Sequence, residues 1–258
     1  MTTVAVERMQ VETEGSGEPV VMLHGLGGTS NTFCPQVLGL NGNCRTIRPD
    51  LPGSGRSPAA ASITIQSLAD LAARAARALG VERAHFVGHS MGTIVCQHLA
   101  VQQPELVKSL TLFGPIHTPP DAARTGLAAR AAKARAEGMA DIADQIVEAT
   151  LSRDTKSAQP VAVALVREFI MRQDAEGYAR NCEALAAAEP ADLNRIRVPV
   201  RLVTGDEDPV APASNARAMA ERLSDARLQV LNKCGHWTTI ERPQECNQVL
   251  KELLGGRA

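Results

Sequence analysis

Aromatic residues are scarce in this chain of 258: four Phe, one Tyr and one Trp, 2% of the whole. A core must therefore be built from Leu, Val, Ile and many Ala, and any pocket from aliphatic side chains suited to small acyl groups. Charge of one sign is lacking as well. Against 27 Lys and Arg stand 28 Asp and Glu, a net charge of −1. That balance supplies neither a basic footprint for nucleic acid nor a surface drawn to membranes. No apolar run approaches the ~20 residues a membrane span needs. Met1 to Arg8 lacks the apolar stretch of a secretory signal. The cysteines Cys34, Cys44, Cys96, Cys182, Cys234 and Cys246 never form a C-x-x-C pair. Their scatter argues against a zinc or redox site and for reduced thiols, several of them small buried hydrophobes. The expectation is a soluble cytoplasmic protein without metal or cofactor. Its oligomeric state is left open, a homodimer included.

The 44% hydrophobic content suffices for one large core, so one domain with an insertion is expected. Strand and helix signals alternate through the first half. Short apolar strands are expected at Pro19 to Leu23, Cys44 to Arg48, Ala84 to Val87 and Leu106 to Phe113. A short helix is expected from Asn31 to Leu38. A longer one spans Ser62 to Leu79, with Ser62 or Thr64 as cap, Ile65, Leu68, Ala72, Ala75 and Leu79 on one face, and Gly80 as stop. Thr118 to about Leu193 carries no strand signal. It is Ala-rich, with breaks near Gly138, Ser152, Gln159-Pro160 and Gly177, which gives about four helices. Strand rhythm returns at Val200 to Thr204 and Arg227 to Leu231, with helices at Pro212 to Leu223 and Pro243 to Leu254. The alternation implies parallel pairing with right-handed crossovers. Its resumption marks the middle block as a lid: residues 1–117 and 194–258 form the core, 118–193 a helical cap.

Gly88-His89-Ser90-Met91-Gly92 is a G-x-S-x-G pentapeptide between an expected strand and the helical stretch Thr93 to Ala100. A serine on so sharp a turn has its hydroxyl exposed, and the helix behind aims free N–H groups at the site. Serine is a weak nucleophile near neutral pH, so it needs a base, and the base an orienting acid. Asp206, Glu207 and Asp208 follow one strand and His236 follows the next, which places all of them at the same sheet edge. The order Ser90, Asp208, His236 is that of a nucleophile-elbow hydrolase. The glycines of His24-Gly25-Leu26-Gly27-Gly28 let backbone approach a substrate closely. Leu26 N–H and Met91 N–H are the expected oxyanion donors. His24 is read as part of the oxyanion loop. Asp50 is read as a turn-former, Cys234 as a core or loop thiol, and His85, His98 and His117 as non-catalytic.

Five motifs together resemble the α/β-hydrolase fold family over nearly the whole chain. They are His24-Gly25-x-Gly27-Gly28, Asp50-Leu51-Pro52-Gly53-Ser54-Gly55-Arg56-Ser57, Gly88-x-Ser90-Met91-Gly92, Gly205-x-x-Asp208-x-x-x-Pro212 and Gly235-His236. The resemblance implies eight mostly parallel strands with the cap inserted after the sixth. Within the acidic cluster the downstream proline selects Asp208; Asp206 is the runner-up, its alternative role being to cap a turn. A serine rather than an aspartate nucleophile implies acyl transfer to water. The expected substrate is a small carboxylic ester or lactone, as for carboxylesterases and 3-oxoadipate enol-lactonases. Asp225 to Leu228 and Lys233 to Trp237 also resemble the meta-cleavage-product C–C hydrolases of aromatic degradation. Those usually carry asparagine where His89 stands and glycine where Thr93 stands. A third reading is a non-hydrolytic ligand-binding protein of the same fold. The candidate substrate-binding residues are Gly25, His89 at the variable elbow position, Trp237 beside the histidine and Arg167. Arg167 lies in an apolar setting, roughly where the C–C hydrolases place a carboxylate-binding arginine.

Overall fold

A computed structural model describes residues 1–40 and 44–255. The strands are β1 (Thr2–Val6), β2 (Met9–Glu14), β3 (Glu18–Leu23), β4 (Cys44–Pro49), β5 (Ala84–His89), β6 (Val107–Phe113), β7 (Val200–Gly205) and β8 (Ala226–Leu231). They form one eight-stranded sheet in the order β1-β2-β4-β3-β5-β6-β7-β8. β2 runs antiparallel to β1 and β4, and every other pair is parallel. The central strands are short apolar runs buried on both faces, as parallel strands between helical layers must be. β5, in the middle, carries Phe86 and Val87 with almost no exposure.

The helices are α1 (Cys34–Gly39), α2 (Ile65–Ala78), α3 (Met91–Gln102), α4 (Asp121–Glu137), α5 (Ala140–Thr150), α6 (Arg153–Ala158), α7 (Pro160–Met171), α8 (Ala175–Ala186), α9 (Ala213–Arg222), α10 (Thr238–Glu241) and α11 (Pro243–Leu253). α2 shows how the local sequence acts. Thr64 accepts from Ser67 N at 3.0 Å while Ser67 Oγ accepts from Thr64 N at 2.9 Å, a reciprocal cap. Ile65, Leu68, Ala69, Ala72, Ala73, Ala75 and Ala76 then turn inward. α3 differs: all residues from Met91 to Ala100 are buried, so it is apolar all round because it is enclosed all round.

The helical insert follows β6, as the family resemblance implied, and its residues differ from the expectation in two ways. It holds five helices rather than four. Gly177 is no break: it lies inside α8, where Asp174 accepts from its N–H at 2.7 Å. A methyl on Gly177 would stand 2.4 Å from Gly53 O, so this glycine serves close packing of cap against core. The N-terminal strands β1 and β2 lie outside the strands expected from apolar runs. β1 is mostly exposed at the sheet edge, whereas β2 buries Met9, Val11 and Glu12 and exposes none of its residues; in both, apolar and polar residues are mixed rather than gathered in one apolar run. No described helix is long and apolar enough to cross a membrane. The six aromatic residues are all buried: Phe33, Phe86 and Phe113 within the sheet layers, Phe169, Tyr178 and Trp237 between cap and core.

Candidate active site

Ser90 stands between β5 and α3 with φ +52°, a strained conformation for a side-chain-bearing residue that costs of order 1–3 kcal/mol. Neighbouring glycines make the bend possible. A methyl on Gly88 would lie 2.6 Å from Gly92 O, and one on Gly92 would lie 2.1 Å from Leu23 O. Ser90 N donates to Phe113 O at 2.9 Å, tying the elbow to β6. The turn lifts the hydroxyl above the sheet, where Ser90 Oγ lies 2.8 Å from His236 Nε2. On the far side of the ring, His236 Nδ1 lies 2.8 Å from Asp208 Oδ2. The three side chains, far apart in sequence, thus form one continuous hydrogen-bonded chain.

Asp208 is held as an ionised acceptor. Its Oδ1 receives Val210 N and Ala211 N, each at 2.8 Å. Burial pushes its pKa up, but the adjacent imidazole and these N–H groups outweigh burial and bring it below the ordinary aspartate value. With Oδ2 as an anionic acceptor, His236 carries its proton on Nδ1 and presents a bare Nε2 to the serine. Asp206 stands outside the Ser90–His236–Asp208 network: its carboxylate receives Cys234 N at 3.0 Å and ties the loop after β7 to the loop after β8. Gly114 supports the imidazole from below. At φ +57°, a methyl there would fall 2.9 Å from His236 Cε1, so the end of β6 is cut back to seat the ring.

The His24 loop approaches the nucleophile closely. A methyl on Gly25 would sit 2.7 Å from Ser90 Cβ, so only glycine fits. Leu51 N donates to His24 Nε2 at 3.0 Å, which leaves the ring proton on Nδ1, 2.8 Å from Gly25 O. Burial lowers the pKa of His24, so the ring pins the loop as a neutral group. Leu26 lines the cavity beside Ser90. Met91 is the first residue of α3, where N–H groups have no partner within their own helix. Asp50 organises the neighbouring loop, accepting from Ser30 N at 2.7 Å and from Arg56 N and Nε at 3.1 and 3.0 Å.

His89 is turned away from the cavity, against the expectation that it touches substrate. Its Nε2 donates to His236 O at 2.9 Å, and its ring packs 5.2 Å from both His236 and Trp237. Burial first, and the nearby His236 second, bring its pKa down to about 3, so it is neutral. Trp237 does face the cavity, its Nε1 donating to Thr150 Oγ1 at 3.2 Å. Arg167 requires a correction. α7 buries Ala162, Val166, Phe169 and Ile170, which turns Arg167 to the exposed side, where it pairs with Asp144 at 2.5 Å. The buried apolar residues of α7 belong to another face of the helix. His85, His98 and His117 pair with Ser109, Glu189 O and Gln97, away from the triad. Cys234 is buried in the smaller core cluster.

A cavity of about 290 Å³ opens onto Ser90 and His236. Its wall is mostly apolar, with Leu26, Ile116, Leu127, Ile146, Leu185 and Trp237 prominent. One face of α4 contributes Ala123, Gly126, Leu127 and Arg130, the i, i+3, i+4, i+7 stripe of a helix. Among the described residues Arg130 is the one Arg or Lys in this wall, and no Asp or Glu lines it. Gly114 and Arg130 carry no motif that marks them in the sequence. Glu241 carries one, a carboxylate five positions after the histidine in an otherwise uncharged stretch. Among the described residues no three His, Cys, Asp or Glu side chains converge as a metal site would.

Comparison with known proteins agrees with this geometry. The model of the alpha/beta hydrolase fold family matches residues 18–243. The chain is 32% identical to pimeloyl-[acyl-carrier protein] methyl ester esterase of Chromobacterium violaceum, covering 96% of this chain and 98% of the relative. It is 30% identical to 2-hydroxy-6-oxo-6-phenylhexa-2,4-dienoate hydrolase of Comamonas testosteroni, over 94% and 90%. The solved enol-lactonase of Burkholderia xenovorans LB400 superposes with a TM-score of 0.91 at 28% identity, over 98% of this chain and 100% of that one. With a nucleophile elbow, a matching sheet and a family match over most of its length, this chain belongs to the α/β-hydrolase fold family.

Proposed function

We propose that the protein is a serine hydrolase that cleaves a small carboxylic ester or lactone through an acyl-enzyme. The observation that carries this reading is the unbroken chain Ser90 Oγ–His236–Asp208, two contacts of 2.8 Å, opening on a mostly apolar cavity. His236 Nε2 takes the Ser90 proton as Oγ attacks the carbonyl carbon, and the carbonyl π pair moves onto oxygen. Leu26 and Met91 N–H groups hold that oxyanion, and loss of one such donor costs roughly 2.7–4 kcal/mol. As the tetrahedral adduct collapses, His236 returns the proton to the leaving alkoxide. A water, deprotonated by the same nitrogen, then releases the acid and restores the serine. Asp208 stays ionised throughout and stabilises the imidazolium.

Of the nine basic side chains in the cap, eight are engaged with acidic groups or carbonyls of the protein. Lys133, Arg135, Arg153, Lys156, Arg167, Arg172 and Arg180 pair with carboxylates, and Arg124 holds the end of α8. Arg130 has no such partner among the described residues and faces the cavity. Tyr178 Oη, in the same wall, is buried without a hydrogen-bond partner. Burial holds its phenol protonated, so it remains a donor. We assign to Arg130, rather than Arg167, the recognition of a negative group on the substrate.

C–C hydrolysis of a dienoate is the second reading, supported by Trp237 in the cavity wall and by the likeness to the Comamonas enzyme. His89 weighs against it, since its Nε2 is engaged with His236 O and the residue lies outside the cavity wall. A rapid p-nitrophenyl acetate burst, absent in Ser90→Ala, tests the hydrolase reading; no burst would favour a ligand-binding role. Parallel turnover of esters, lactones and a meta-cleavage dienoate ranks the two chemistries.

A further inference from the structure

From Gly235 to Trp237, the backbone N–H groups around the base are held by Glu241 and by the cap. Gly235 N donates to Glu241 Oε2 at 3.1 Å and Trp237 N donates to Glu241 Oε1 at 3.1 Å. His236 N itself donates to Thr150 O at 2.8 Å, at the end of α5 in the cap. Glu241 accepts a third N–H, from Ser152 at 2.9 Å, between α5 and α6. The contact is close on every side. A methyl on Gly235 would lie 2.3 Å from Thr150 O and 2.7 Å from Ser152 N. At the rim, Asp154 of α6 pairs with Arg242 at 2.8 Å and Lys233 at 3.6 Å, bracketing the same loop.

Glu241 is 1% exposed and has no cationic partner among the described residues. A buried carboxylate is a poor device for stability alone, because its desolvation consumes much of what its contacts return. Its three N–H donors are instead arranged with two flanking the base and one from the cap. We propose that Glu241 is a positioning residue for His236, and that a cap seated at Thr150–Ser152 is a condition for catalysis. Resting on the triad reading above, this makes the α5–α6 junction part of the support of the base. A cap lifted at this end frees the N–H of His236 and draws Nε2 away from Ser90 Oγ. Substrate entry then has to open at another part of the cavity.

The backbone of Ser152 permits a selective test. Its φ of −65° suits proline, and Leu151 before it is extended at ψ 146°. Ser152→Pro removes the N–H given to Glu241, while Ser152→Ala removes only the hydroxyl that caps α6. Both are measured beside Glu241→Gln and the parent, at a temperature where circular dichroism shows each folded. The readouts are kcat and KM on p-nitrophenyl acetate and the low-field NMR resonance of the His236 Nδ1 proton. Expected are a kcat at least tenfold lower in Glu241→Gln with KM within threefold, a shifted or broadened resonance, and a Ser152→Pro kcat at least fivefold below Ser152→Ala. A folded Glu241→Gln with kcat within twofold of the parent and an unmoved resonance overturns the proposal. If Glu241→Gln does not fold, equal kcat in the two Ser152 variants overturns it. If the parent shows no hydrolysis, the hydrolase reading fails separately, and the resonance alone decides whether Glu241 and the cap position the imidazole.

Discussion

A methyl placed on Gly92, at the nucleophile elbow, would lie 2.1 Å from Leu23 O; a methyl placed on Gly126, in cap helix α4, meets nothing within 4 Å. The two glycines stand for two kinds of construction in one molecule. At the elbow, backbone packs on backbone of β3, and α3 behind it is enclosed along nearly its whole length. In the cap, α4 buries only Leu127, Ala131 and Ala134 of its 17 residues, and exposed ion pairs join its helices. Exposed pairs of that kind contribute roughly 0–1 kcal/mol each. The core therefore leaves no room for even a methyl group where the Ser90 elbow meets β3. The cap has room to vary the cavity wall without disturbing the triad, except at Thr150–Ser152, where it grips the histidine loop.

The largest expected effect lies on the rigid side. Asp208→Asn should lower kcat on the order of 10⁴-fold in steady-state assays, since the amide no longer orients the imidazole or stabilises its cation. The same variant carries a pH signature. The carboxyl of Asp208 is depressed in the folded protein, so its stabilisation is full above the ordinary aspartate value of about 4 and fades as pH falls through the depressed value. Urea titrations of parent and variant should therefore converge on acidification from about pH 4 downward; a constant gap would contradict the ionised state. Gly92→Ala should lower stability by more than about 3 kcal/mol or prevent folding, because the obstacle is strand backbone rather than a movable side chain. On the cap side, Arg130→Ala should raise KM for an anionic ester roughly tenfold more than for its neutral analogue, the scale of one charged hydrogen bond. Equal losses on both would remove Arg130 from substrate recognition. The smallest effect is Gly126→Ala, which should raise the denaturation midpoint by the equivalent of roughly 0.5–1 kcal/mol. A loss there would show that the cap is packed as tightly as the elbow.

The core was more legible than the cap, for a physical reason. Pro19 to Leu23, Ala84 to Val87 and Val200 to Thr204 are largely apolar runs bounded by turn residues, and each is an interior strand of the sheet. β1 and β2 escaped because the apolar residues they pack inward, Val4 and Val6 in β1 and Met9 and Val11 in β2, stand at every second position, so no long apolar run marks Thr2 to Glu14. Gly177 looked like a break because glycine weakens helices, yet Asp174 starts α8 three residues earlier and Gly53 presses on its Cα. Arg167 looked buried because its sequence neighbours are apolar. A helix sends adjacent residues about 100° apart, and nothing short of the packing of α7 decides which face is covered.

Taken alone, the sequence determined the elbow, the order of Ser90, Asp208 and His236 along the chain, and the place of the insertion, because each rests on local backbone chemistry that recurs wherever those residues stand in that spacing. Only the tertiary structure decided that Arg130 faces the cavity while Arg167 does not. It alone showed that His89 packs against His236 and Trp237 outside the cavity wall, and that Glu241 joins the cap to the histidine loop. Those outcomes depend on contacts between segments dozens of residues apart, set by how helices rotate and pack, and no local pattern encodes them.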